Sequence, residues 1–407
     1  MDEDRSRLPR LDWTVLAAGL VPPLLLTVAF HRMLAQIGNA GLRDATSVRD
    51  VAIFWMGGLL VRAGDAARVF DPPAFQAAMA AMFGPDFVTL PWAYPPPMLF
   101  LAVPASLLPL KAGFLAWSAA GSALFWLGAR AAGLGRAARL AALLSPAAIE
   151  SLLSGQTGLL TAALALPGLA LVGRRPWVGG ALLGGLILKP QLALLVPLCL
   201  LASRNWRAAA GAVLSAALIA GASVLAFGWA SWIGFVLDVV PFMRREMLEA
   251  AWHNGPYQAM IATPFMAARW AGAASATSYA VQAVPALGAC LLCWRAWQRP
   301  GADPLARAAL TLALTFLVSP YGMSYDMTPL SAALIGLAVR DEPWRGGARF
   351  LFATAWVWPG CGYLLGAMQA PPLGIAAAAS AAALAWRSLE RDRAAAPAPL
   401  ALSAAAG

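Results

Sequence analysis

Pro176–Ala202 reads PWVGGALLGGLILKPQLALLVPLCLLA, an apolar run whose single charge is Lys189, followed at once by Pro190 and Gln191. A stretch this poor in polar groups cannot build a water-facing surface but suits a lipid-facing one. Its halves, 177–189 and 190–203, each fall short of the ~17 residues that a straight crossing needs. The reading is therefore two tilted or broken helices meeting at Lys189-Pro190. Comparable runs recur along the 407-residue chain, which is 60% hydrophobic and only 12% charged, with a mean hydropathy of +0.68. Soluble domains are about 45–50% apolar and about 25% charged, so a soluble enzyme is excluded. At ~20 residues per span the length accommodates about ten to twelve transmembrane helices. The fold class is an all-α polytopic membrane protein.

The net charge of +10 comes from 29 basic and 19 acidic residues, and all but two of the cations, Lys111 and Lys189, are arginines. They cluster in short gaps: Arg5/Arg7/Arg10, Arg130/Arg136/Arg139, Arg174/Arg175, Arg204/Arg207, Arg295/Arg299/Arg307, Arg340/Arg345/Arg349 and Arg387/Arg391/Arg393. Placing these clusters on the cytoplasmic side satisfies the positive-inside bias. The gaps at 31–111, 152–157, 189–191, 229–278, 319–325 and 367–371 then face outward. No aromatic-interleaved basic stripe accompanies the arginines, so no nucleic-acid partner is expected.

Residues 1–393 read as one transmembrane domain with two long outward segments, 31–111 and 229–278, and an Ala/Pro-rich tail, 394–407, expected to be disordered. In the first segment, Asp50–Gly64 (DVAIFWMGGLLVRAG) is apolar between charged flanks and reads as an interfacial helix at the membrane surface. Breakers follow at Asp71-Pro72-Pro73 and Trp92–Pro97, and Met98–Leu110 reads as re-entrant or interfacial. Cys290 and Cys293 have CxxC spacing but lie in an apolar run, where packing inside a helix is the simpler role. With only two histidines, His31 and His253, and no paired carboxylate of the DxD kind, neither a metal nor a cofactor is expected. P-loop, GxGxxG, HExxH and GxSxG contexts do not occur.

An ionisable residue within or against the bilayer is costly and is a functional candidate by default. On the outward side these are Asp50, Asp65, Asp71, Lys189, His253 and Asp326, with Glu150 at the end of an apolar run. Asp50 opens the interfacial helix; its plain role is an N-cap, and its chemical one is a general base, strengthened by partial desolvation. Lys189 is a lone ammonium where the chain otherwise anchors itself with arginine. It suits snorkelling to the interface or binding a phosphate as a point charge, with Gln191 beside it. Gln156, in a tight turn after Ser145-Pro146, fits either a plain turn or a sugar-binding site, and His253-Asn254 either a solvated loop or an acceptor site. Tyr94, Tyr325 and Asp326 add polar groups on the same side.

Taken in order, Arg49-Asp50-Val51-Ala52-Ile53-Phe54-Trp55, Val69-Phe70-Asp71-Pro72, Tyr94-Pro95-Pro96, Ser154-Gly155-Gln156, Leu188-Lys189-Pro190-Gln191, Ser319-Pro320 and Tyr325-Asp326 resemble glycosyltransferase family 87, over residues 45–340. These are the polyprenol-phosphate-mannose-dependent mannosyltransferases of the GT-C superfold. The resemblance implies a GT-C type helical bundle that inverts the anomeric centre on the periplasmic face of a bacterial-type inner membrane. Asp50 would be the catalytic base, Lys189 with Gln191 would hold the donor phosphate, and Tyr94, Gln156, His253, Asn254, Tyr325 and Asp326 would bind substrate. The implied partners are a polyprenyl-phosphate-sugar donor, a glycolipid or polysaccharide acceptor, and membrane lipids. One departure is that the Asn-Gln-Ser-like element of the later outer loop appears only as His253-Asn254-Gly255. The competing readings are a lipid or small-molecule transporter or flippase, a GT-C transferase using another lipid-linked sugar, and a noncatalytic scaffold. A transporter would show inverted repeats and mid-membrane charges, and the sequence has no internal repeat.

Overall fold

A computed structural model describes residues 12–36, 49–84, 90–250, 256–341, 344–368 and 370–395. The protein is 81% helical, with no strands among the described residues, as expected of a chain whose backbone must satisfy its own hydrogen bonds in lipid. Among the described residues, three helices are long and apolar enough to cross a membrane: Leu110–Ala131, Trp206–Phe227 and Ser275–Gln298. Arg136–Leu143 and Pro146–Ser154 form a fourth candidate span, bent by 54°. The bend falls where Ser145 caps the second helix, its hydroxyl accepting from the Ala148 N–H at 3.3 Å, and Pro146 cannot continue the first. Shorter apolar helices include Gly158–Leu171 and Pro304–Val318.

The long helices turn apolar side chains outward. Leu225 is 90% exposed, Val284 73% and Val213 70%, an arrangement that water would penalise and lipid does not. Pro304–Val318 and Thr328–Arg340, by contrast, are buried almost throughout and form the centre with Gly158–Leu171. The packing uses small residues, as helices in lipid do when backbones must approach closely. Gly180 and Gly184, four residues apart on Pro176–Gly184, face Trp206–Phe227. A Cβ at Gly180 would lie 2.1 Å from the Ala208 carbonyl oxygen, and one at Gly184 2.3 Å from that of Ala212.

The break expected at Lys189 is present. The helix Pro176–Gly184 tightens into a 3₁₀ turn, Gly185–Leu188; Lys189 is extended at φ −149°, and a second 3₁₀ turn, Pro190–Ala193, precedes the helix Val196–Ala202. The segment 31–111 also contains its expected helix, Arg49–Arg62. Val51, Ala52, Ile53, Phe54 and Met56 are all buried, so protein surrounds several sides of this helix, chiefly the short helix Leu99–Ser106. Cys290 and Cys293 lie within Ser275–Gln298, where Cys293 packs against Cys199 with sulfurs 3.3 Å apart. The last helix runs Gly374–Ala395, so Ala394 and Ala395 are helical, and the rest of the tail expected from Ala394 lies outside the described residues.

Candidate active site

Asp50 is buried at the start of Arg49–Arg62, beside the turn that ends Pro146–Ser154. Gly155 makes that turn in the left-handed region, φ +71°, with its N–H bonded to the Leu152 carbonyl and the Gln156 N–H bonded to the Ser151 carbonyl. A Cβ at Gly155 would stand 2.8 Å from Val51 Cβ, so glycine is required both by conformation and by the closeness of the Asp50 helix. The turn projects Gln156 inward. Its Nε2 donates to Asp50 Oδ2 at 3.1 Å, while its Oε1 accepts from the Tyr94 hydroxyl at 2.7 Å and from the Thr157 N–H at 3.3 Å.

The second half of the site begins at Thr157. Lys189 Nζ donates to Thr157 Oγ1 at 3.3 Å and to Asp326 Oδ1 at 2.6 Å. Both charged side chains are at most 3% exposed. Asp326 sits in the 3₁₀ turn Ser324–Met327, where its Oδ2 also accepts from the Met323 N–H at 3.3 Å. The ammonium lies 4.7 Å from the ring centre of Tyr325 and 5.7 Å from that of Tyr94, both within cation–π range. Burial pushes the Tyr94 and Tyr325 phenols above their ordinary value, helped by Asp326 and Asp50, so both remain neutral. Burial likewise raises the Asp326 carboxyl, and the adjacent Lys189 opposes that rise.

A third carboxylate borders this network. Glu150, one turn before Gly155, is 3% exposed and accepts from the Ser324 hydroxyl at 2.7 Å through Oε2. Its Oε1 has no hydrogen-bond partner among the described residues. An apolar cavity of about 230 Å³ reaches the same turn, lined by Leu101, Trp117, Leu124, Ser151, Gln156 and Leu159.

Asp50, Tyr94, Gln156, Lys189, Tyr325 and Asp326 are thus brought together from segments far apart in the chain. Gln191 is half-exposed beyond the break and joins none of these hydrogen bonds. His253 and Asn254 lie outside the described residues. Asp65 and Asp71 cap local turns: Asp71 Oδ1 accepts from the Ala74 N–H at 3.0 Å, and Asp65 Oδ1 from the Arg68 N–H at 3.3 Å. Thr157 and Ser324 were not singled out from sequence. The only signal for Thr157 is its place beside Gln156, and Ser324 has none.

A family model for glycosyltransferase family 87 matches residues 92–320. The chain belongs to glycosyltransferase family 87. It is a membrane glycosyltransferase, and the transporter and scaffold readings give way to an enzyme. The family 87 match covers Tyr94, Gln156 and Lys189; Tyr325 and Asp326 lie just beyond its end, and Asp50 lies well before its start. Searches of curated proteins and of solved structures each return no match.

Proposed function

We propose that this family 87 enzyme moves a sugar, mannose by the resemblance, from a polyprenyl-phosphate donor to the hydroxyl of a glycolipid or polysaccharide acceptor, with inversion. The reaction takes place at the periplasmic face of a bacterial inner membrane in a GT-C type bundle. The observation that carries the reading is the continuous polar network joining Asp50 to Lys189 through Gln156 and Thr157. It abuts an apolar cavity suited to a lipid chain.

Asp50 is the general base. As the acceptor oxygen attacks the anomeric carbon, Asp50 takes its proton, the bond to the donor phosphate breaks, and the lipid phosphate leaves with the electron pair. A phosphate monoester leaves without strong acid assistance but benefits from a cation. Lys189 supplies that charge. An ammonium has three donors; among the described residues Lys189 uses one on Asp326 and one on Thr157, so a third remains for a phosphate oxygen. Asp50 and Asp326 together outweigh the single Lys189, and such an excess of negative charge favours the positive character that develops at the anomeric carbon.

The test is reconstitution of purified protein in vesicles with radiolabelled polyprenyl-phosphate-mannose, the glucose analogue, and a polyprenyl-diphosphate sugar. Release of free polyprenyl phosphate with labelled acceptor, abolished in Asp50→Asn, is expected. Equal turnover of the diphosphate donor would overturn the donor class, and full activity in Asp50→Asn would overturn the base.

A further inference from the structure

At the end of the bundle opposite the site, where Pro176–Gly184 begins and Val196–Ala202 ends, lies a second cavity of about 580 Å³. Three arginines line it, Arg204, Arg299 and Arg307, together with Ser203, Asn205 and Gln298. Arg307 lies 4.9 Å over the Trp297 ring, and its Nε is buried with no hydrogen-bond partner among the described residues. Arg299 lies 4.3 Å over the Trp386 ring; its Nη2 meets Glu390 at 2.7 Å, but its Nη1 is also buried without a partner there. Asp303, the acid nearest Arg307 in sequence, is engaged by Arg340 and by the Ala306 N–H. Among the described residues neither Arg204 nor Arg307 has a carboxylate at ion-pair distance.

Buried donors on uncompensated cations are costly and are satisfied by an anion. Arginine forks match phosphate oxygens in particular. The level of the cavity is marked by Trp177, 53% exposed, and Trp206, 63% exposed; outward tryptophans are enriched where lipid headgroups lie. Basic pockets between helices at that depth take anionic headgroups.

We propose that this cavity is a binding site for a phosphoryl anion, distinct from the transfer site, with Arg204, Arg299 and Arg307 as its ligands. The flanking tryptophans favour the phosphate of an anionic phospholipid as its source. Purified full-length protein would be titrated with cardiolipin, phosphatidylglycerol and phosphatidylcholine, and separately with inorganic phosphate. Bound lipid would be read by native mass spectrometry and the unfolding midpoint by thermal scanning.

Binding of the anionic lipids over phosphatidylcholine, weakened about fivefold or more in each of Arg204→Gln and Arg307→Gln, is expected. Arg130→Gln, an exposed arginine of another cluster, should leave it unchanged. Stabilisation by inorganic phosphate alone, lost in the same two variants, would support the site with a soluble anion as its source. Equal retention of phosphatidylcholine, or binding that survives both substitutions, would overturn the proposal. Arg204 is exposed, so its variant carries the test should Arg307→Gln fail to fold.

Discussion

Lys189 Nζ stands 2.6 Å from Asp326 Oδ1, although the two lie 137 positions apart in the chain, with almost no solvent on either side chain. A buried pair of this kind offsets its desolvation only while both partners remain. Asp326→Ala is therefore expected to cost about 3–5 kcal/mol, because it strands an ammonium in a protein interior. Lys189→Met combined with Asp326→Leu should recover most of that loss, since an apolar pair of similar volume is often neutral or better. Thermal unfolding in detergent reads the stability, and the transfer assay reads the role. A stable double variant that still transfers sugar would reduce the pair to a structural device and reject donor contact by Lys189.

Asp50→Asn keeps the volume of the side chain and can still accept a hydrogen bond from Gln156 Nε2, so the fold should persist with an unfolding midpoint near that of the wild type. Loss of the base should lower turnover by about 10²–10⁴-fold. The paired measurement separates a chemical role from a structural one: lost stability with residual activity in proportion would reject the assignment.

The sequence made the parts of this site legible but not its wiring. Composition and arginine spacing disclose the class of fold, because lipid exposure leaves a long apolar record. Pro190 discloses the break at Lys189, because a missing N–H has a local effect. The contacts made by these residues are different in kind. Gln156 reaches Asp50 across 106 residues, and Lys189 reaches Asp326 across 137; no periodicity encodes either. Asp65 and Asp71 show the converse, being charged candidates whose hydrogen bonds are local caps. The Asp-Pro-Pro order at Asp71 already carries the capping signature. Asp50–Gly64 reads as an interfacial helix; the packing that buries Val51, Ala52, Ile53, Phe54 and Met56 comes from residues distant in the chain and is not written in the segment itself.

Gln156 donates to Asp50, so under the proposed mechanism its removal should shift positioning rather than chemistry. Tyr94→Phe deletes one donor to Gln156 Oε1 but leaves the Thr157 N–H in place. A loss of about 1 kcal/mol in stability is expected, with turnover reduced about tenfold or less. Gln156→Ala removes the bridge entirely and should approach the effect of Asp50→Asn on turnover. Gln156→Glu places a second carboxylate against Asp50 and should be worse than alanine for stability. A Gln156→Ala enzyme with wild-type turnover would show that Asp50 needs no positioning by this turn.

The placement of Lys189 depends on how closely Pro176–Gly184 approaches Trp206–Phe227. At Gly180 and Gly184 an added Cβ would fall well inside contact distance of a backbone carbonyl, which cannot rotate away as a side chain would. Gly184→Val should therefore force the helices apart, cost about 1–3 kcal/mol or more, and draw Lys189 from Asp326 with a fall in transfer. Gly221, on the same Trp206–Phe227 helix, has nothing within 4 Å of its added Cβ among the described residues. Gly221→Ala should be neutral or stabilising by up to about 1 kcal/mol, since it removes only the conformational freedom of glycine in a helix. Thermal unfolding and transfer measured on both variants test this contrast; equal behaviour would mean that the close approach does not hold the break in place.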